Sequence, residues 1–239
     1  MTRIWTLTTF YGRNLFRSLA GIVPLAVALA FGLIAFEHGM DQAQFITVAG
    51  VGTGTLCLLT TLLLASRANR AWSYLLLARL KRRSELLAAL LVGGLGITLV
   101  LALLITIGNL LTDRLTLDFP SALWIVPTWL ALWLLASALA LPLSALVGRS
   151  GSHLVGWLLL AAVLVANDQQ IALEALGLER LADAASVVIW PVSTLLGQAS
   201  AGSHGRSYFL ALGLTLAYAA VLFVLATEFL EDKDLLWPE

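Results

Sequence analysis

The sequence predicts an all-α polytopic membrane protein with six transmembrane helices, and three observations predict it. Hydrophobic residues make up 60% of the chain and charged residues only 12%, where a soluble domain would carry about 25% charged residues. The apolar residues come in blocks of roughly twenty, the length of a helix that crosses a bilayer core of ~30 Å. No charged residue falls in the middle of any block.

The elements follow in order. Residues 1–18 alternate bulky apolar groups (Ile4, Trp5, Leu7, Phe10, Tyr11, Leu15, Phe16) with Arg3, Arg13 and Arg17. Aromatic rings favour the headgroup layer and arginines reach phosphates, so this segment predicts an N-terminal interfacial helix. It extends too far to read as a cleaved leader. The first span covers 19–36, with Pro24 near its start, where a missing N–H costs least. The second covers 45–66 and contains Gly50 and Gly54, a GxxxG pair that permits close helix packing within the chain or against a second copy. The third, 86–111, opens with Gly93, Gly94 and Gly96. The fourth, 121–146, carries Trp124 and Trp129, placed in an aromatic belt, then Trp133, with Pro127 and Pro142 as bends. A Gly-Arg-Ser-Gly-Ser turn (148–152) leads to the fifth, 153–167. Residues 168–197 combine helical apolar spacing with acids, and predict one or two short outer helices broken at Trp190-Pro191. The sixth span, 208–226, ends in the acidic tail from Glu228. All of this forms a single transmembrane domain over 1–239.

The segment 67–85 is the most informative. Six of its residues are cationic (Arg67, Arg70, Arg79, Lys81, Arg82, Arg83), against one acid, Glu85. On a helix over 72–83, Trp72, Leu75, Leu76 and Leu80 make an apolar stripe, with Arg79, Arg82 and Arg83 largely off it. Such a face suits a soluble protein partner or anionic lipid. If this loop lies inside with 1–18, 147–152 and the tail, only Arg114, Arg180 and Arg206 of the fourteen Lys and Arg lie outside. The positive-inside rule then predicts both termini to be cytoplasmic, in an integral plasma membrane protein, expected to be bacterial.

Several chemistries are disfavoured. Ion-driven transport usually needs intramembrane acids, bases or arginines, and none sits in the middle of a span; His153 and Glu228 fall only at span ends. No Walker loop is present to cradle a nucleotide. Cys57 is the single cysteine and His38, His153 and His204 are scattered, so no metal site, bound cofactor or intramolecular disulfide is expected. Ser150, Ser152 and His153 lack the elbow motif and the orienting acid of a nucleophile–base system. The chain therefore reads as a transport path without its own engine, and not as an enzyme.

This layout resembles the permease subunits of ATP-binding-cassette (ABC) transporters of the type-2, exporter-like superfamily. The resemblance covers nearly the whole chain, in architecture more than in letters. Arg83-Ser84-Glu85-Leu86-Leu87 is similar to the small/Ser-Arg-x-x-Leu/Ile-Leu/Ile run that enters the third span in those families. The tail Phe229–Leu235 is similar to their short cytosolic ends. The chain departs from them in having Arg67–Ser73 where a glutamate and a Gly-Thr pair are common, and in lacking a proline in 78–84. The resemblance implies a cytoplasmic coupling helix at 72–83, with Trp72, Leu76, Arg79 and Arg83 carrying ATPase docking. It also implies a separate ABC ATPase subunit holding ATP-Mg, and a homo- or heterodimer with a second six-span permease. Spans rich in Leu, Val and Ala, with Trp124, Trp129, Trp133 and Trp157, suit a hydrophobic or amphipathic exported substrate. The competing reading is a non-transporting scaffold subunit of a larger membrane complex, using the same loop for assembly.

Overall fold

The computed structural model describes residues 2–38, 41–69, 80, 83–113, 115, 119–144, 146–147 and 179–232. Among them the chain is all-helical, with α1 Thr2–Phe16, α2 Ile22–His38, α3 Gln42–Ala68, α4 Ser84–Leu111, α5 Phe119–Leu143, α6 Glu179–Ser200 and α7 Arg206–Asp232. Four helices are long and apolar enough to cross a membrane (α3, α4, α5 and α7), or five if α1 and α2 are counted as one bent pair. The expected fifth span, 153–167, lies outside the described residues.

α1 and α2 meet at 95°, a sharp bend between two apolar helices. A one-turn 3-10 helix, Leu19–Gly21, makes the corner. Gly21 permits it, because a Cβ there would stand 2.7 Å from the Leu15 carbonyl oxygen and 2.9 Å from the Phe16 Cα. Both are backbone atoms that cannot swing aside. Gly21→Val is therefore expected to open the corner, and limited trypsin digestion checks this through faster cleavage after the exposed Arg13 and Arg17. α1 is also packed onto the bundle. Tyr11 and Leu15 are fully buried, and Thr8 Oγ1 donates to the Ala89 carbonyl of α4 at 3.0 Å.

α3 is the hub, touching α1, α2, α4, α5 and α6. It starts cleanly because Asp41 caps it, accepting from the Gln44 N–H at 2.7 Å, a bond that satisfies one orphan donor of the first turn. Its 27 residues rise about 40 Å, and the core divides along that length. At one end, the aromatic end, Phe45, Ile46, Trp129, Trp133, Leu195, Leu196 and Tyr208 pack together. At the other, the basic end, Tyr11, Leu64, Ala68, Leu86, Leu141, Leu146, Ala226 and Leu230 do so.

Small residues let the helices approach. The Phe31 ring of α2 sits where a Cβ on Gly52 would stand, 2.7 Å away. A Cβ on Gly50 would stand 3.0 and 3.1 Å from Trp129 Nε1 and Leu196, whereas one on Gly54 would meet nothing within 4 Å. The outward surfaces of α2, α4 and α7 are lined by exposed Leu25, Leu29, Leu103, Leu104, Val221 and Val224. Apolar area on this scale is not sustained against water; with the long apolar helices it suits an integral membrane protein.

Three expectations are modified. α6 runs unbroken through Pro191, which was expected to end a short helix. Its second half is wedged against α3, α5 and α7 with Leu195, Leu196 and Ala199 buried, and that packing holds it helical despite the lost N–H. α7 continues past 226 to Asp232 because Ala226 and Leu230 are buried in the basic-end core. Trp129, expected in an aromatic belt, is turned inward, its indole donating to the Ile46 carbonyl at 3.2 Å.

Candidate functional site

The cation-rich segment joins the end of α3 to the start of α4, both of which lie at the basic end. Trp72, Leu76 and Arg79, three of the four docking residues expected there, lie outside the described residues. Leu80 of the apolar stripe is described, and it packs against the basic-end core. Partly buried there, Leu80 has a foothold on the bundle, since an apolar side chain gains by leaving water.

Both flanks of the segment are held by arginines. Arg67, in the last turn of α3, donates from Nη2 to Ser18 Oγ at 2.7 Å. Ser18 sits at the α1–α2 corner and donates in turn to the Leu15 carbonyl at 2.7 Å. Arg83, the fourth expected docking residue, precedes α4 and donates from Nη1 to the Leu230 and Glu231 carbonyls at 2.6 and 3.1 Å. These are orphan acceptors at the end of α7, where the helix dipole also favours a cation. Glu85 follows in the first turn of α4, its Oε2 buried without a hydrogen bond, where the positive end of the helix dipole favours an anion.

A polar knot ties α3 to α5 at mid-length, with α4 packed against it. Ser137 Oγ of α5 lies 3.0 Å from Cys57 Sγ and 3.2 Å from Thr61 Oγ1, both on α3. The Cys57 thiol also reaches the Trp133 carbonyl at 3.5 Å. Gly94 of α4 makes the room: a Cβ there would collide with Thr61 Oγ1. Thr98, one turn on, is buried close to the Cys57 thiol but makes no hydrogen bond of good geometry. Enclosed in this way, Cys57 is expected to resist a maleimide in the native protein and to react fully in SDS; rapid native labelling would show that the knot opens.

At the aromatic end, His204 stacks on Trp124 with ring centroids 4.1 Å apart, and Tyr208 meets both edge-on. Tyr208 and Thr128 hydroxyls are hydrogen-bonded at 2.9 Å. Trp133 Nε1 donates to Thr53 Oγ1 at 2.9 Å. Of the four tryptophans read as suiting an apolar cargo, Trp129 and Trp133 are core residues, Trp124 belongs to this stack, and Trp157 lies outside the described residues. Sequence reading missed the tie from Arg83 to α7; an arginine is a common partner for helix C-terminal carbonyls, but nothing in the sequence says which helix it will reach. Among the described residues no group of three His, Cys, Asp or Glu side chains is placed to hold a metal ion.

No protein-family model matches the chain, and no curated protein or solved structure shows significant similarity to it.

Proposed function

We propose that the chain is the membrane-spanning permease subunit of an ATP-driven ABC transporter, exporting a hydrophobic or amphipathic substrate. A separate ATPase subunit with its ATP-Mg docks on residues 67–85 and supplies the force. The observation that carries this reading is the meeting of helix ends around the cationic segment. The corner after α1, the end of α3, the start of α4 and the end of α7 are joined there through Ser18, Arg67, Arg83 and Leu230. A push on that segment has a direct route into the spans. Charge-free span centres leave the chain without an ion-driven engine of its own.

Six spans, both termini cytoplasmic and a dimeric assembly belong to the same proposal. The chain stands at the basic end at Val147 and at the aromatic end at Leu195. That change of end supports one further crossing beside α2, α3, α4, α5 and α7. The cation count puts the basic end on the inside.

The test is purification of the full chain in mild detergent, with its stoichiometric soluble partner identified by mass spectrometry. A partner carrying a Walker loop supports the proposal. Trp72→Ala, Leu76→Ala and Arg79→Glu are then each expected to lower its recovery at least about tenfold, as loss of a central interface residue does. Unchanged recovery in all three overturns docking at this segment. Purification within a stoichiometric redox or biosynthetic assembly lacking an ATPase would instead favour the scaffold reading.

A further inference from the structure

We propose that Arg67 and Arg83 are positioning residues that fasten the two flanks of the basic segment to different helices, Arg67 to the α1–α2 corner and Arg83 to the end of α7. As transmission points for an ATPase stroke they rest on the permease reading; as fasteners they stand without it. Their partners are distant in sequence, 49 residues away for Arg67 and 147 for Arg83. Each bond therefore joins elements that no local helix geometry would bring together.

The chemistry makes both joints firm. Each is a charge-assisted hydrogen bond, shorter and stronger than a neutral one. Both residues are partly buried, as are the Arg67–Ser18 and Arg83–Leu230 bonds, and the lower dielectric there strengthens those two bonds further. On the α1 side the joint is a relay: Arg67 donates to Ser18, and Ser18 donates to the carbonyl of the fully buried Leu15. On the α7 side one nitrogen bridges two successive carbonyls of the last turn, and Leu230 beneath them is buried in the basic-end core. α1 is itself bonded to α4 through Thr8 and Ala89. The end of α3 and the start of α4 therefore cannot shift without drawing on α1 and α7. Arg83 accordingly acts through α7 and not by touching the ATPase.

Hydrogen exchange on the full chain in nanodiscs tests the fastening with no partner present. Arg83→Ala is expected to speed exchange in 226–232 about tenfold or more, because a hydrogen bond to a charged group contributes at least that factor to an opening equilibrium. The same variant leaves 15–21 unchanged. Arg67→Ala is expected to do the reverse. Arg83→Lys, whose ammonium also donates to carbonyls, retains most of the protection. This crossed pattern separates fastening from general destabilisation. Equal acceleration everywhere, or none in 226–232, overturns the proposal, as does failure of the lysine variant. With the co-purified ATPase present, Mg-ATP and vanadate are expected to alter exchange in both segments of the wild type, and only in 15–21 of Arg83→Ala. Loss of ATPase recovery in Arg83→Ala without a change in 226–232 would make Arg83 a docking residue and overturn the fastening. If the wild type yields no ATPase, the permease reading fails while the exchange pattern still decides the fastening.

Discussion

Gly94→Ala is expected to destabilise the protein by about 2–4 kcal/mol, a large effect for one methyl group. The added Cβ would occupy the position of Thr61 Oγ1. Thr61 must then rotate, giving up its bonds to the Cys57 carbonyl and to Ser137. Overpacking costs about 1–3 kcal/mol, and leaving buried polar partners unmatched costs about 1–3 kcal/mol more. Against this, alanine is the better helix former by about 1 kcal/mol. Gly54→Ala isolates that last contribution, because its Cβ meets nothing within 4 Å; it is expected to be neutral or slightly stabilising. Unfolding in mixed detergent and SDS, followed by circular dichroism, measures both variants. Adding Thr61→Ala to Gly94→Ala removes the colliding hydroxyl, so the double variant is expected to be less destabilised than the sum of the two singles. Simple additivity would show that Thr61 is not what Gly94 accommodates.

Trp133→Ala is the second large effect, expected at about 3–5 kcal/mol by cavity formation at a well-packed aromatic. Trp133 is only 3% exposed, packs between α3 and α5, and donates to Thr53. Trp133→Phe separates the two contributions. It keeps most of the ring and loses the donor, for a cost of about 0.6–1 kcal/mol, the worth of a hydrogen bond between membrane helices. Trp190, 44% exposed, serves as the comparison, and its alanine variant is expected to stay within about 0.5 kcal/mol of wild type. A Trp133→Ala variant as stable as Trp190→Ala would mean that the aromatic end is not a packed core.

The two cases show why some of the fold was legible and some was not. Helix type and rough position follow from apolar run length, a local property, and so α2, α3, α4, α5 and α7 fall where the composition puts them. The sequence marks no face inside the spans. Gly93, Gly94 and Gly96 look alike as letters, yet only Gly94 receives a hydroxyl from the neighbouring helix. Gly50 and Gly54 share a motif, yet only Gly50 lies against a ring. Trp129 reads as a belt residue by type and place, and is turned inward by the space above Gly50.

The sequence alone determined that the chain is helical and apolar in long blocks, and that its cations gather beside one turn, since each of these is a sum over neighbouring residues. Tertiary structure alone decided which glycine, which tryptophan and which arginine matter. A helix that is apolar on every side has no preferred face until another helix packs against it. An arginine has no preferred carbonyl until two chain segments, 147 residues apart in the case of Arg83, are brought to the same end.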